Sequence, residues 1–120
     1  MRSGWILLIA LAAALLLPMT AQAQTKAVPG PHPERWVTND DYPMESLRHR
    51  ERGIVSFRLA IDVKGRVSDC TVTVSSGYWR LDQTVCYFLK KRARFVPATD
   101  ASGTAVPGEW SSRFSWWVDR

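Results

Sequence analysis

From Ile54 to Val63 apolar and polar residues alternate. Val55, Phe57, Leu59, Ile61 and Val63 take one parity; Ser56, Arg58, Ala60 and Asp62 take the other. Successive side chains on a strand point to opposite faces, so this run predicts a strand with a core face and a wet face. Such a strand needs partners at its sides and a layer over its dry face, which constrains the rest of the chain. Lys64-Gly65 predicts a tight turn, and Arg66 to Ser76 returns as the second strand of a hairpin. Cys70, Val72 and Val74 share one parity there, but Val67 has the other. A bulge near Ser68 or Asp69 reconciles them.

Ser75-Ser76-Gly77 breaks the second strand. Leu81, Val85, Phe88 and Leu89 then recur at helical spacing, with Cys86 on the flank of the stripe, to about Ala93. Upstream, Met44 to Arg52 predicts a shorter helix. Asp41 or Tyr42 is its expected cap, Pro43 stands near its first position and Gly53 is its expected stop. Met44 and Leu47 give it only a thin apolar stripe. Phe95-Val96-Pro97-Ala98 is a short extended piece, and Pro97 keeps it out of a central strand. Asp100 to Pro107 is a polar loop. The last strand is expected over Trp110 to Val118, with Phe114, Trp116 and Val118 on one face and Arg113, Ser115, Trp117 and Asp119 on the other. The order is α-β-β-α-β. The fold class is therefore α+β, with two helices on one face of a three-stranded antiparallel sheet.

The N-terminus sets the compartment. Met1-Arg2 is a short positive start, Trp5 to Leu17 is apolar or small throughout, and Pro18 ends the run. Ala21-Gln22-Ala23 then puts small residues at both key positions of a signal-peptidase site. The apolar run falls short of the ~20 residues of a spanning helix. Residues 1–23 are expected to be a cleaved signal peptide, residues 24–35 a linker or extended arm, and residues 36–120 one small periplasmic domain. The alternative is an uncleaved segment that anchors the domain at the inner membrane. In an oxidising compartment the two cysteines, Cys70 and Cys86, are expected to form a disulfide. Their spacing does not fit a metal site, and no metal or other cofactor is expected.

The chain carries a formal charge of +5 at pH 7. Basic residues cluster in Arg48-His49-Arg50-Glu51-Arg52 and Lys90-Lys91-Arg92-Ala93-Arg94. They read first as solvated helix faces, with cations near a C-terminus where the helix dipole favours them. A protein outside the cytoplasm gives little room for a nucleic-acid partner, and none is expected.

Five pieces in order carry a family likeness. They are Asp41-Tyr42-Pro43, Gly53-x-Val55-x-Phe57, Asp62-x-x-Gly65-Arg66-Val67, Ser75-Ser76-Gly77 with Leu81-Asp82, and Arg94-Phe95-x-Pro97-Ala98. Together they resemble the C-terminal domain of the TonB family of periplasmic energy transducers, over roughly residues 36–118. The resemblance implies binding of a short receptor segment, the TonB box, as a strand beside the last strand of the domain. It implies a peptide site at Arg113, Ser115 and Trp117, joined by Asn39 and Tyr42 in the segment before the first helix. Family members often have Gln where this chain has Asn39, whose amide has a shorter reach. Full transducers also keep a membrane anchor and a long proline-rich spacer. This chain is expected to have a cleavable signal and a short arm, and a freed domain cannot pull.

The expected function is thus binding of outer-membrane receptor segments, or of another envelope protein, by strand addition. An open edge also permits a homodimer. The alternative is a structural envelope protein that holds anionic glycan or lipid through its basic patches and exposed tryptophans. No catalytic site is expected. His32 lies in the linker and His49 in a charged helix, neither with a partner, and Asp40-Asp41 before a helix reads as capping chemistry. The signal reading fixes a mature N-terminus at Gln24. Intact mass of protein from cell extracts should match residues 24–120, and a membrane-bound species retaining Met1 would refute cleavage.

Overall fold

The alternating run becomes the middle of a sheet. In this computed structural model, which describes residues 24–118, the expected signal peptide and Asp119 lie outside the described residues. Besides 3-10 turns at Pro33–Arg35 and Asn39–Asp41, two α-helices and seven strands follow in order among the described residues: β1 (Val28–Pro29), α1 (Met44–Arg48), β2 (Gly53–Ile61), β3 (Val67–Val74), α2 (Trp79–Arg92), β4 (Phe95–Val96), β5 (Ala98–Thr99), β6 (Ala105–Val106) and β7 (Gly108–Trp116). β2 pairs antiparallel with β3 on one side and with β7 on the other, giving the order β3-β2-β7. Val55, Phe57, Leu59 and Ile61 are all buried. Val63 is not; it lies past the strand, in the turn that Asp62 begins, and is half-exposed.

Asp62 builds that turn. Its Oδ1 accepts hydrogen bonds from the backbone N–H groups of Lys64 and Arg66, each at 2.9 Å. Gly65 adopts φ 80°, and a Cβ there would collide with the backbone carbonyl of Phe95. Its own carbonyl accepts from the Phe95 N–H at 2.8 Å, tying hairpin to β4. The expected bulge falls at Ser68: Ala60 pairs with Asp69 and Ile61 with Val67. A second irregularity pairs Phe57 with Val72 and Ser56 with Val74. It moves Val74 off the core face shared by Cys70 and Val72, and Val74 is exposed. Two bulges, not one, therefore set the strand's facing.

α2 buries Leu81, Val85 and Leu89 on the sheet. Asp82, in its first turn, accepts from Ser75 Oγ at 2.5 Å, from Ser76 Oγ at 2.7 Å and from the Ser76 N–H at 3.0 Å. One carboxylate thus fixes the strand-to-helix corner. α1 is shorter than the sequence implied. It ends at Arg48 because Arg50 turns left-handed (φ 53°), with Arg50 N–H bonded to the Leu47 carbonyl and Glu51 N–H to that of Ser46. That is a Schellman stop with arginine in the usual glycine place, so Gly53 opens β2 instead of ending the helix. Met44 and Leu47 face solvent, and Ser46 is the buried residue of α1. Asp41 does not cap α1. It closes a capping box with Thr38 around the preceding 3-10 turn, Asn39–Asp41.

Residues 25–30 are paired with the domain in extended form, and Pro33–Arg35 then makes a 3-10 turn. Val28–Pro29 pairs with Phe95–Val96, Thr25 bridges Thr99, and the Gly30 N–H donates to the Arg94 carbonyl at 2.8 Å. Ala27 is buried. The polar loop before the last strand folds as a small hairpin of β5 and β6. The last strand begins and ends two residues earlier than expected, at Gly108 and Trp116.

Cys70 and Cys86 are joined, with Cα atoms 5.6 Å apart and a sequence separation of 16. The bond fastens edge strand β3 to α2. By the chain-entropy model a loop of this length contributes ~3 kcal/mol. Replacing both cysteines with serine should lower unfolding free energy by about that amount in urea titrations. Thiol titration of unfolded, unreduced protein should find no free thiol; two reactive thiols would sink the assignment.

Candidate functional site

β7 lies at the edge of the sheet. One side pairs with β2 along its whole length, from Gly108 opposite Ile61 to Trp116 opposite Gly53. The other side has no strand partner among the described residues. Its main-chain donors and acceptors are a template for one more strand. Glu109, Ser111, Arg113 and Ser115 are exposed and share the outer face. Trp110, Ser112, Phe114 and Trp116 face inward. Trp110 meets Phe57, Phe95 and Trp36 with ring centroids 6.1, 5.3 and 6.2 Å away. Trp116 is fully buried and takes Phe114 and Tyr42 edge-on at 4.7 and 4.8 Å.

The N-terminal arm runs along this edge. Thr25, Lys26 and Ala27 face Gly108 to Ser111 across a shallow hollow. A Cβ on Gly108 would stand 3.0 Å from the Ala98 Cβ and 3.4 Å from the Ala27 Cβ, so glycine permits this approach. Farther along, Pro33, Trp36 and Val37 face Ser112 and Phe114 across a groove of about 350 Å³ floored by Phe57 and Leu89. At the strand's end the Asn39 side-chain amide reaches the Trp117 carbonyl at 3.5 Å.

Four of the five residues expected in the peptide site are solvent-accessible. Arg113 and Ser115 project from the outer face of the edge strand, Trp117 is 58% exposed just past it, and Asn39 adjoins Trp117. Tyr42 is different. It is buried against Trp116, and its phenol donates to the Glu51 carbonyl. Burial raises its pKa, and the nearby Glu51 carboxylate adds to the effect, so the phenol keeps its proton. Its role here is to hold the segment that carries Asn39. Sequence reasoning missed Trp36 and Ser112. A serine among Trp110, Phe114 and Trp116 on the inner parity was the available signal for a notch.

A charge pair locks the same segment to α2. Arg92 Nη1 donates to Asp41 Oδ2 at 2.8 Å and to the Trp36 carbonyl at 3.2 Å, while its guanidinium lies 3.9 Å from the Phe88 ring centre. Arg92 thus leaves the solvated cluster expected at residues 90–94. Burial alone would raise the Asp41 pKa, but hydrogen bonds from Arg92 and the Thr38 backbone outweigh it and hold the carboxyl below its ordinary value.

A family model described as Gram-negative bacterial TonB protein C-terminal matches residues 38–116. No curated protein matches the chain. The match starts at Thr38, beside the Asp41–Arg92 lock, and ends with β7. The lowered Asp41 pKa gives a sign for acid behaviour: its stabilisation is present above the ordinary aspartate pKa and is lost as pH falls through the depressed one. Asp41→Asn should cost about 1 kcal/mol at neutral pH, because Arg92 is partly exposed and solvent screens the pair. The gap between parent and variant should close in acid. Urea titrations at several pH values check this, and a gap that widens in acid would contradict it.

Proposed function

The chain belongs to the family of Gram-negative bacterial TonB protein C-terminal domains, and from that premise we propose that it binds an extended segment of an outer-membrane receptor as an added strand on β7. Domains of this family are non-enzymatic, periplasmic parts of transport energy transducers and interact with outer-membrane receptors. Among the described residues, no helix is long and apolar enough to cross a membrane. The observation that carries the reading is the unpaired side of β7. Around it, Arg113 supplies a donor, Ser115 a small polar site and Trp117 an aromatic platform, while Asn39 stands at the strand's end.

A second reading has its own observation. On α2, Trp79 and Tyr87 are exposed, with Arg80 and Lys91 over their rings at 5.3 and 5.7 Å. Aromatics paired with cations suit an anionic glycan or lipid surface. The two readings separate cleanly. Strand addition rests on main-chain hydrogen bonds, so proline in the edge should harm it more than loss of any one side chain. Folded Ser115→Pro, checked by circular dichroism, should bind peptides from receptor N-termini at least about tenfold more weakly than the parent, and Trp117→Ala should lose less. Equal peptide binding by folded Ser115→Pro would defeat the edge mechanism. Binding to anionic vesicles that falls steeply with salt and ignores Ser115→Pro would favour the second reading.

A further inference from the structure

The inner face of β7 carries one small residue between two aromatics: Trp110, Ser112, Phe114. Ser112 stands opposite Phe57 on β2. Its small size leaves the notch whose floor is Phe57 and Leu89 and whose far wall is Trp36. Ser112, Arg113 and Phe114 of the edge strand line the notch, together with Pro33, Glu34, Trp36 and Val37 of the segment before α1. We propose that this groove is a specificity pocket for one bulky apolar side chain of the strand added to β7, at the position opposite Ser112.

The geometry follows from strand rules. An added strand lies ~4.8 Å beyond β7, and directly opposed residues point to the same face. The residue opposite Ser112 therefore points inward, between Ser112 and Trp36. Its neighbours in the segment point outward beside Arg113 and the exposed Ser111. At about 350 Å³ the groove is at the small end of ligand pockets, with room for one large side chain. Its walls are largely aromatic and aliphatic, and the charged groups at it, Glu34 and Arg113, are both exposed. The occupant is thus an extended receptor segment with one bulky apolar residue facing in and polar or acidic residues flanking it, the acidic ones matched to Arg113.

This inference rests on the strand-addition reading, so the experiment separates the two. The probes are capped nine-residue peptides of serine and threonine, with leucine or glycine at the central position. Binding is followed from the backbone amide signals of β7 and the indole signals of Trp36 and Trp110. The leucine peptide should bind the parent about tenfold or more tightly than the glycine peptide, as expected for burying one aliphatic side chain. Ser112→Leu fills the notch and should erase that preference, whereas Ser112→Ala should keep it. Equal affinity of the parent for both peptides, with β7 amides shifting, would overturn the pocket and leave strand addition standing. A leucine preference that persists in folded Ser112→Leu would also overturn it. If neither peptide shifts any β7 amide at millimolar concentration, strand addition fails and the pocket fails with it.

Discussion

Everything in this fold hangs on β2. It is hydrogen-bonded on both sides, and its inward side chains are covered by α2 and by the aromatic face of β7. Val55 and Leu59 have no exposed surface and Ile61 almost none, so the strand cannot slip by one residue without turning its whole dry face to water. Fixing β2 fixes what lies beside it. The hairpin takes one side and the disulfide fastens that neighbour to α2. The C-terminal strand takes the other side and is left as an edge. The open template is thus a consequence of topology, not of any residue in β7.

An open edge carries a hazard, because any extended chain can pair with it. Here the N-terminal arm limits what the edge offers. It crowds the Gly108 end through Ala27, then stands off from Ser112 and Phe114 to form the wall of a groove. The Gly30–Arg94 hydrogen bond and the pairing of Val28–Pro29 with β4 hold the arm in that course. A segment read from sequence as a linker therefore shapes the face of the edge that faces the core. Composition could not reveal this. Proline-rich, aperiodic stretches look alike whether they are free or laid on a surface, since their contacts are made by strands far away in sequence.

Legibility followed the periodic signals. The β2 parity, the α2 stripe and the bulge at Ser68 were all written in side-chain spacing, and the edge position of the last strand followed from the first two strands pairing as a hairpin. The facing of Val74 was not, because a second bulge reverses parity without leaving a polar mark. The end of α1 was not, because arginine seldom takes the left-handed turn that usually calls for glycine. Arg92 looked like one more solvated cation in a basic run. Only the fold brings Asp41 and the Trp36 carbonyl to it, across more than fifty residues.

The stretch from Asn39 to Pro43 shows how the fold holds the motif that the proposed reading assigns to recognition. Asp41 closes a capping box and pairs with Arg92; Tyr42 packs on Trp116 and donates to the Glu51 carbonyl. Neither side chain is free to meet a ligand face-on. Their work is to immobilise the backbone between them and the strand end, which leaves Asn39 exposed with its amide at the Trp117 carbonyl. A group held in place before binding loses little freedom when a partner arrives, so it contributes more of its gross interaction to affinity. In the proposed reading this stretch acts by positioning: one polar amide is presented at the strand's end, and the buried neighbours keep it there.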